Sequence, residues 1–394
     1  MSESISIDPM VPDFYLSPDY YEVLAQLRRH APINCFAPGL WSVASYSLIR
    51  EISSHPQEYC SRQGALVNDP IRSSGEMETP SILHMDPPDH SAFRRLLNKR
   101  FTPRSLDGLS SSIKKMAHEV IHRVTSDEPI DFVQEIAAPF PILVISELLG
   151  IAQGDRQDFR RWSDAVIEAP DASSEDASLG LVELAGFMSE HIEAKRLQPG
   201  DDLVSLLLGS EIDGRPLSND ELFMFLLTLL VAGNETMRTF ITGSTLALFE
   251  YPQQRQKLLA DFSLIPRAVE ECLRWVTPIH AFCRTATSKL SIGDQTIDEG
   301  DYLVMLYASG NRDESAFGPT ADQFDVSRLP DPMHVALGFG EHVCLGASLA
   351  RLEARIFLTE FLSTYPQYVV TGSAVRVPST TVAGISSLPV LLNH

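Results

Sequence analysis

Cysteine is scarce in this 394-residue chain, with five in all. Cys35, Cys60, Cys272, Cys283 and Cys344 show no CxxC or CxxCH spacing. An odd, scattered set of this kind argues against a disulfide framework, a zinc ribbon and covalently attached c-type haem. Positive charge is also short: 31 Lys and Arg stand against 52 Asp and Glu, a formal net charge of -21. That disfavours nonspecific nucleic-acid binding. The longest apolar run, LFMFLLTLLVAG at residues 222–233, is too short to span a bilayer and lies between Asp220 and Glu235. The opening MSESISIDPMVPDFYLSP has neither the basic start nor the apolar centre of a signal peptide. These absences predict a soluble, cytoplasmic protein with no membrane anchor. There is no internal repeat, no long low-complexity linker and no flavin or nicotinamide fingerprint. Without a linker to divide it, 1–394 reads as a single domain.

What is present is mostly helical periodicity. Tyr20–His30 has it, and so do most segments between residues 91 and 191. The polar DASSEDASLG at 171–180 reads as a mobile loop. Ser218 followed by Glu221 is a capping-box signature, and Tyr251-Pro252 supplies a stop, so the spacing predicts a helix of about 30 residues between them. Its nearly uniform apolar character before Gly233 predicts a buried first half. IPRAVEECLRWV is a second helix set between Pro266 and Pro278. Short strand candidates follow in FCRTATSKLSI, QTIDEGDYLVMLY and ISSLPVLL. The opening third mixes short extended pieces such as GLWSVAS with helical ones, and the fold class expected is mainly α with a minor β region placed late in the chain.

Four segments carry potential chemistry. In Val231-Ala232-Gly233-Asn234-Glu235-Thr236, a mid-helix glycine costs up to about 1 kcal/mol. It reads either as close helix packing or as a groove beside a bound group, with a carboxylate and a hydroxyl at its edge to move protons. Glu271 and Arg274, three apart on a helix, can pair on a surface or in a core. In DPPDHSAFRRLLNKRF, Pro87-Pro88 sets a turn, and His90 and Arg94 fall on one face fit for an anion; the other reading is a solvated basic face. The fourth segment, ALGFGEHVCLGASLAR, frames Cys344 with Gly338, Gly340 and Gly346 just ahead of a helix. A thiolate there gains from the helix N-terminus and from backbone N–H groups. A Cys-His hydrolase using His342 and a zinc site of His334, His342 and Cys344 are the alternatives, though neither has its usual spacing.

Together these segments resemble the cytochrome P450 family, in its bacterial form. The cysteine loop matches that family's Phe-Gly-x-Gly-x-His/Arg-x-Cys-x-Gly pattern, except that Leu337 replaces the phenylalanine. Glu271 and Arg274 match its ExxR, and Arg328 in FDVSR matches the arginine that completes the network. The resemblance implies haem b with Cys344 as axial thiolate, and His90, Arg94, Arg284 and His342 at the haem propionates. It implies Glu235 and Thr236 as the acid–alcohol pair for O2 activation. A substrate pocket is implied from residues 65–83, Val231, Ala232, residues 279–282 with His280, and Val382. His280 reads either as an ordinary loop residue or as a donor to an oxygenated substrate. The implied function is hydroxylation of a small apolar molecule such as a sterol, terpenoid or other lipid-like natural product. Electrons would come from a ferredoxin with its reductase, docking on Arg95, Lys99, Arg100 and Arg104. A hydrogen-peroxide-driven peroxygenase and a non-catalytic haem ligand-binding protein are the alternative functions.

Overall fold

A computed structural model describes residues 5–75, 79–98, 100–124, 127–168 and 175–393. Seven helices organise the site: α1 (Tyr20–His30), α2 (Asp89–Asn98), α3 (Ser110–His122), α4 (Pro139–Leu148), α5 (Asn219–Glu250), α6 (Ile265–Val276) and α7 (Ala347–Thr364). The long helix α5 starts where the capping box places it. Ser218 Oγ accepts from the Glu221 N–H at 3.1 Å, and Glu221 accepts from the Ser218 N–H at 2.8 Å. With 32 residues it extends about 48 Å and touches α4, α6 and α7. Its neighbour α4 is apolar apart from Ser146 and Glu147, and eight of its ten residues are buried.

The principal sheet joins β1 (Ile33–Ala37), β2 (Leu40–Val43), β3 (Tyr59–Cys60), β4 (Ala281–Ala286) and β5 (Tyr302–Leu306), in the order β1-β2-β5-β4-β3. β5 runs parallel to β2 and antiparallel to β4. It is buried on both faces: Leu303 and Met305 pack into one cluster, Tyr302, Val304 and Leu306 into another. The largest cluster unites α3 to α7.

Three expectations change. The β region is not late in the chain, because three early strands complete the sheet begun at residue 281. Residues 175–180 form the first turns of the helix Glu175–Leu197, not a loop, while 171–174 lie outside the described residues. Burial along α5 also shifts toward its second half. Arg238, Thr239, Thr242, Ser244 and Thr245 are all buried there, whereas Val231 and Ala232 keep free surface. Polar side chains are tolerated inside a helix bundle because hydroxyls can donate to the preceding turn, as Thr242 does to Arg238 O at 2.9 Å.

Candidate active site

The cysteine loop is shaped by its glycines. Gly338 and Gly340 have φ of +73° and +72°, conformations that side-chain-bearing residues resist. A Cβ on Gly340 would stand 2.1 Å from Ser53 O, so the loop lies directly against the helix Tyr46–Ser54. The Cys344 N–H donates to Leu337 O at 2.7 Å, closing the loop, and Gly346 caps α7 two residues later. Leu337 thus contributes its backbone to the loop, and its side chain packs against the main core. Cys344 has free surface, yet desolvation is the main influence on it and pushes its thiol up; the Gly346 N–H, Arg94 and Arg351 oppose this. The Cys344 side chain thus keeps free surface while its surroundings disfavour charge on the sulfur.

Around it the structure gathers His90, Arg94, Arg284 and His342. The His90 and His342 rings lie 4.1 Å apart, and His342 Nε2 is 3.2 Å from Ser61 Oγ. Arg94 donates to Val343 O. Arg284, 6% exposed, donates to Cys283 O at 2.7 Å, and no carboxylate among the described residues pairs with it. Burial, then Arg94, pulls His90 down to about 4; burial, then Arg284, pulls His342 down to about 2. Cationic groups repelling one another's protonation mark a site built for an anionic group. A buried Arg284 guanidinium with no salt-bridged carboxylate among the described residues, together with Arg94 acting on the Cys344 thiol, fits an anionic prosthetic group ligated by sulfur. Glu341, 3.6 Å from His342, is the nearby acid that sequence reasoning missed, and burial raises it toward the neutral form.

Behind the loop is a buried ionic network. Glu271 receives Arg274 at 2.7 and 2.8 Å and Arg328 at 3.1 Å. Arg274 also donates to Asn311 O and Ala321 O, both at 2.7 Å, and to Gln323 O at 3.0 Å. The Asn311 side chain accepts from Val335 N–H at 2.7 Å, which ties the network to the start of the cysteine loop. The surface reading of this pair is thereby excluded. Sequence reasoning also missed Glu270. It receives Arg351 at 2.7 and 2.9 Å and faces His334 at 3.2 Å. His334 Nδ1 accepts from Ala336 N–H, so its ring is committed to this pair. No group of potential metal ligands among the described residues contains Cys344, which removes the zinc alternative. His342 makes no hydrogen bond to Cys344, which removes the hydrolase.

On α5, Thr236 Oγ1 donates to Ala232 O at 2.6 Å, and Glu235 pairs with Arg238 at 2.6 Å. A Cβ on Gly233 would lie 2.6 Å from Ile145 Cδ1, so this glycine serves close packing against α4. Val382 bridges Ile279, and His280 N–H donates to Thr381 O at 2.8 Å, bringing two pocket segments together. Gly384 then abuts the Glu235 carboxylate. The His280 ring is different: it stacks on Tyr15 at 4.4 Å and meets Tyr20 edge-on. Packing against the N-terminal segment accounts for its burial. In residues 65–83, Asp69 accepts from Ala65 and Leu66 N–H groups and contacts His84 at 2.7 Å, which folds that segment onto itself.

The Cytochrome P450 family model matches residues 181–392. Steroid C26-monooxygenase of Mycobacterium tuberculosis is 33% identical over 399 residues, covering 99% of this chain and 98% of its own. Methyl-branched lipid omega-hydroxylase of the same organism is 33% identical over 384 residues, covering 93% and 89%. Among solved structures, Mycobacterium marinum cytochrome P450 CYP268A2 in complex with pseudoionone superposes with a TM-score of 0.90 at 33% identity over all of both chains. CYP109E1 from Bacillus megaterium in complex with testosterone gives 0.85 at 29% identity, covering 95% and 99%. The chain belongs to the cytochrome P450 family. It is accordingly a monooxygenase whose cofactor is haem b held through a cysteine thiolate. No helix among the described residues is long and apolar enough to cross a membrane.

Proposed function

We propose that this monooxygenase hydroxylates an apolar, lipid-like molecule of steroid, terpenoid or branched-chain type, with 1–394 acting as one P450 domain. The observation that carries the site assignment is the dry, accessible Cys344 thiol beside four basic side chains, one of them a buried arginine without a carboxylate partner. When haem is bound, Cys344 would ligate its iron through the thiolate, and His90, Arg94, Arg284 and His342 would hold its propionates. Haem, when bound, supplies the chemistry by which one atom of O2 enters a C–H bond and the other leaves as water, with two electrons and two protons consumed. Thr236 already donates its proton to Ala232 O, which leaves its lone pairs to order a hydrogen bond in the cleft. Glu235, held by Arg238 at 2.6 Å, would relay protons taken up from water to the reacting oxygen, beside the apolar side chains of Val231, Ala232 and Val382.

The substrate class rests on relatives that act on steroids and methyl-branched lipids and on solved neighbours holding pseudoionone and testosterone. Electrons come from a ferredoxin and its reductase. Arg95 and Arg104 are exposed on and beside α2, whereas Arg100 is paired with Asp201 at 3.1 Å and is removed from the docking set; Lys99 lies outside the described residues. Spectral titration with steroids, terpenoids and branched fatty acids tests this reading, followed by turnover with ferredoxin, reductase and O2. A spin-state shift and a monohydroxylated product are expected for at least one of the three classes. Product formed from peroxide alone, at a rate the ferredoxin system does not exceed, would support the peroxygenase instead.

A further inference from the structure

Outside the haem cleft, α3 and α7 bring together a set of ligands that the monooxygenase does not use. His118 and His122 are one turn apart on α3, and their rings lie 4.0 Å from each other. Both reach the same oxygen of Glu360 on α7: His118 Nδ1 at 2.8 Å and His122 Nε2 at 3.1 Å from Oε1. Thr364 Oγ1 stands 3.2 Å from His122 Nε2 and donates to Glu360 O. The three ligand atoms all lie within 4.8 Å of one another. The side chains are 60%, 41% and 33% exposed, so an ion can reach them from solvent.

We infer that His118, His122 and Glu360 form a surface site for a divalent transition ion such as Zn2+, which staples α3 to α7. Two imidazoles at i and i+4 plus one carboxylate are a donor set that such ions favour, with water completing the shell. Metal–ligand bonds of ~2.0–2.2 Å in a tetrahedral shell put ligand atoms roughly 3.3 Å apart. The present spacings of 2.8 and 3.1 Å need only small side-chain adjustment to reach that. The acidic surface of the chain draws cations toward the site. Helix α7 begins just after Cys344, so the staple holds the far end of the helix that the cysteine loop leads into.

The test is calorimetric titration of chelator-washed holoprotein with ZnCl2 in excess Mg2+, for wild type and for His118→Ala, His122→Ala and the double variant. Wild type is expected to take up about one equivalent at micromolar concentration; each single variant should bind at least tenfold more weakly, and the double variant should not bind. Zn2+ should also raise the unfolding temperature of wild type but not of the double variant. The reduced, CO-bound spectrum should be the same in all four proteins. Wild-type binding only in the millimolar range, displacement by Mg2+, or equal binding by the double variant would overturn the site. Because the readout is metal binding, a failure here is separable from any failure of the monooxygenase reading.

Discussion

Replacing Glu271 by Ala is the perturbation whose size the structure defines best. The carboxylate is 1% exposed and the Arg274 guanidinium 2%. Removing Glu271 leaves a buried cation with three backbone carbonyls but no counter-charge, which costs about 3–5 kcal/mol. Folded domains have only about 5–15 kcal/mol in total, so the folded-to-unfolded ratio should fall roughly a thousandfold. An isolated buried pair can often be exchanged for apolar residues at little cost. Here that rescue should fail. In a Glu271→Leu, Arg274→Met double variant, Asn311 O and Ala321 O lose their donor, at about 1–3 kcal/mol for each carbonyl left buried and unpaired, while Gln323 O keeps Arg328 at 3.0 Å. The assay is urea unfolding followed by circular dichroism and by haem absorbance. Glu271→Ala should lower both midpoints, and the double variant should be no more stable than the single. A loss below about 1 kcal/mol in the single variant, or recovery of wild-type stability in the double, would refute the reasoning.

Other consequences follow from the same geometry. Gly340→Ala should abolish haem retention, because its Cβ would meet Ser53 O at 2.1 Å in a positive-φ loop, whereas Gly346→Ala, 3.9 Å from Cys344 Sγ, should keep it; haem content per protein after gel filtration distinguishes them. Gly233→Ala should be destabilised by contact with Ile145 and partly restored by Ile145→Ala, read as a coupling in a double-mutant cycle. Burial alone would raise Glu270, but His334 and Arg351 overcome it and hold the carboxyl at about 2, below its ordinary 4.5. A depressed carboxyl stabilises the fold above its unfolded pKa and loses that contribution as pH falls through the folded one. The shift corresponds to something on the order of 3 kcal/mol. Glu270→Gln should therefore flatten the pH dependence of stability between about pH 5 and pH 2, and a slope equal to wild type in acid unfolding would contradict this.

Features with local signals were legible in the sequence. Ser218, Glu221 and Tyr251-Pro252 bound α5 because capping and proline stops act within one turn. The glycines around Cys344 announced a backbone that only glycine adopts easily, and the structure bears this out at Gly338 and Gly340. What stayed hidden depends on long-range pairing. The sheet position of Ile33–Ala37 is settled through β2 by a strand that starts at Tyr302. Arg100 read as a free cation until the fold brought Asp201 beside it. The partner of the His280 ring, Tyr15 in the N-terminal segment, is likewise set by the fold and not by any local pattern. Gly233 is instructive in another way: sequence allowed both packing and a groove, and only the position of Ile145 gives the glycine its packing role.

The central claim is that Cys344, as thiolate, holds the haem. It is tested most directly by the reduced-plus-CO difference spectrum of the wild-type protein and of Cys344→Ser. The account predicts the red-shifted band from which cytochromes P450 take their name in wild type, and its loss in the serine variant. A wild-type band at the blue-shifted position of histidine-ligated haem, unchanged in Cys344→Ser, would contradict it.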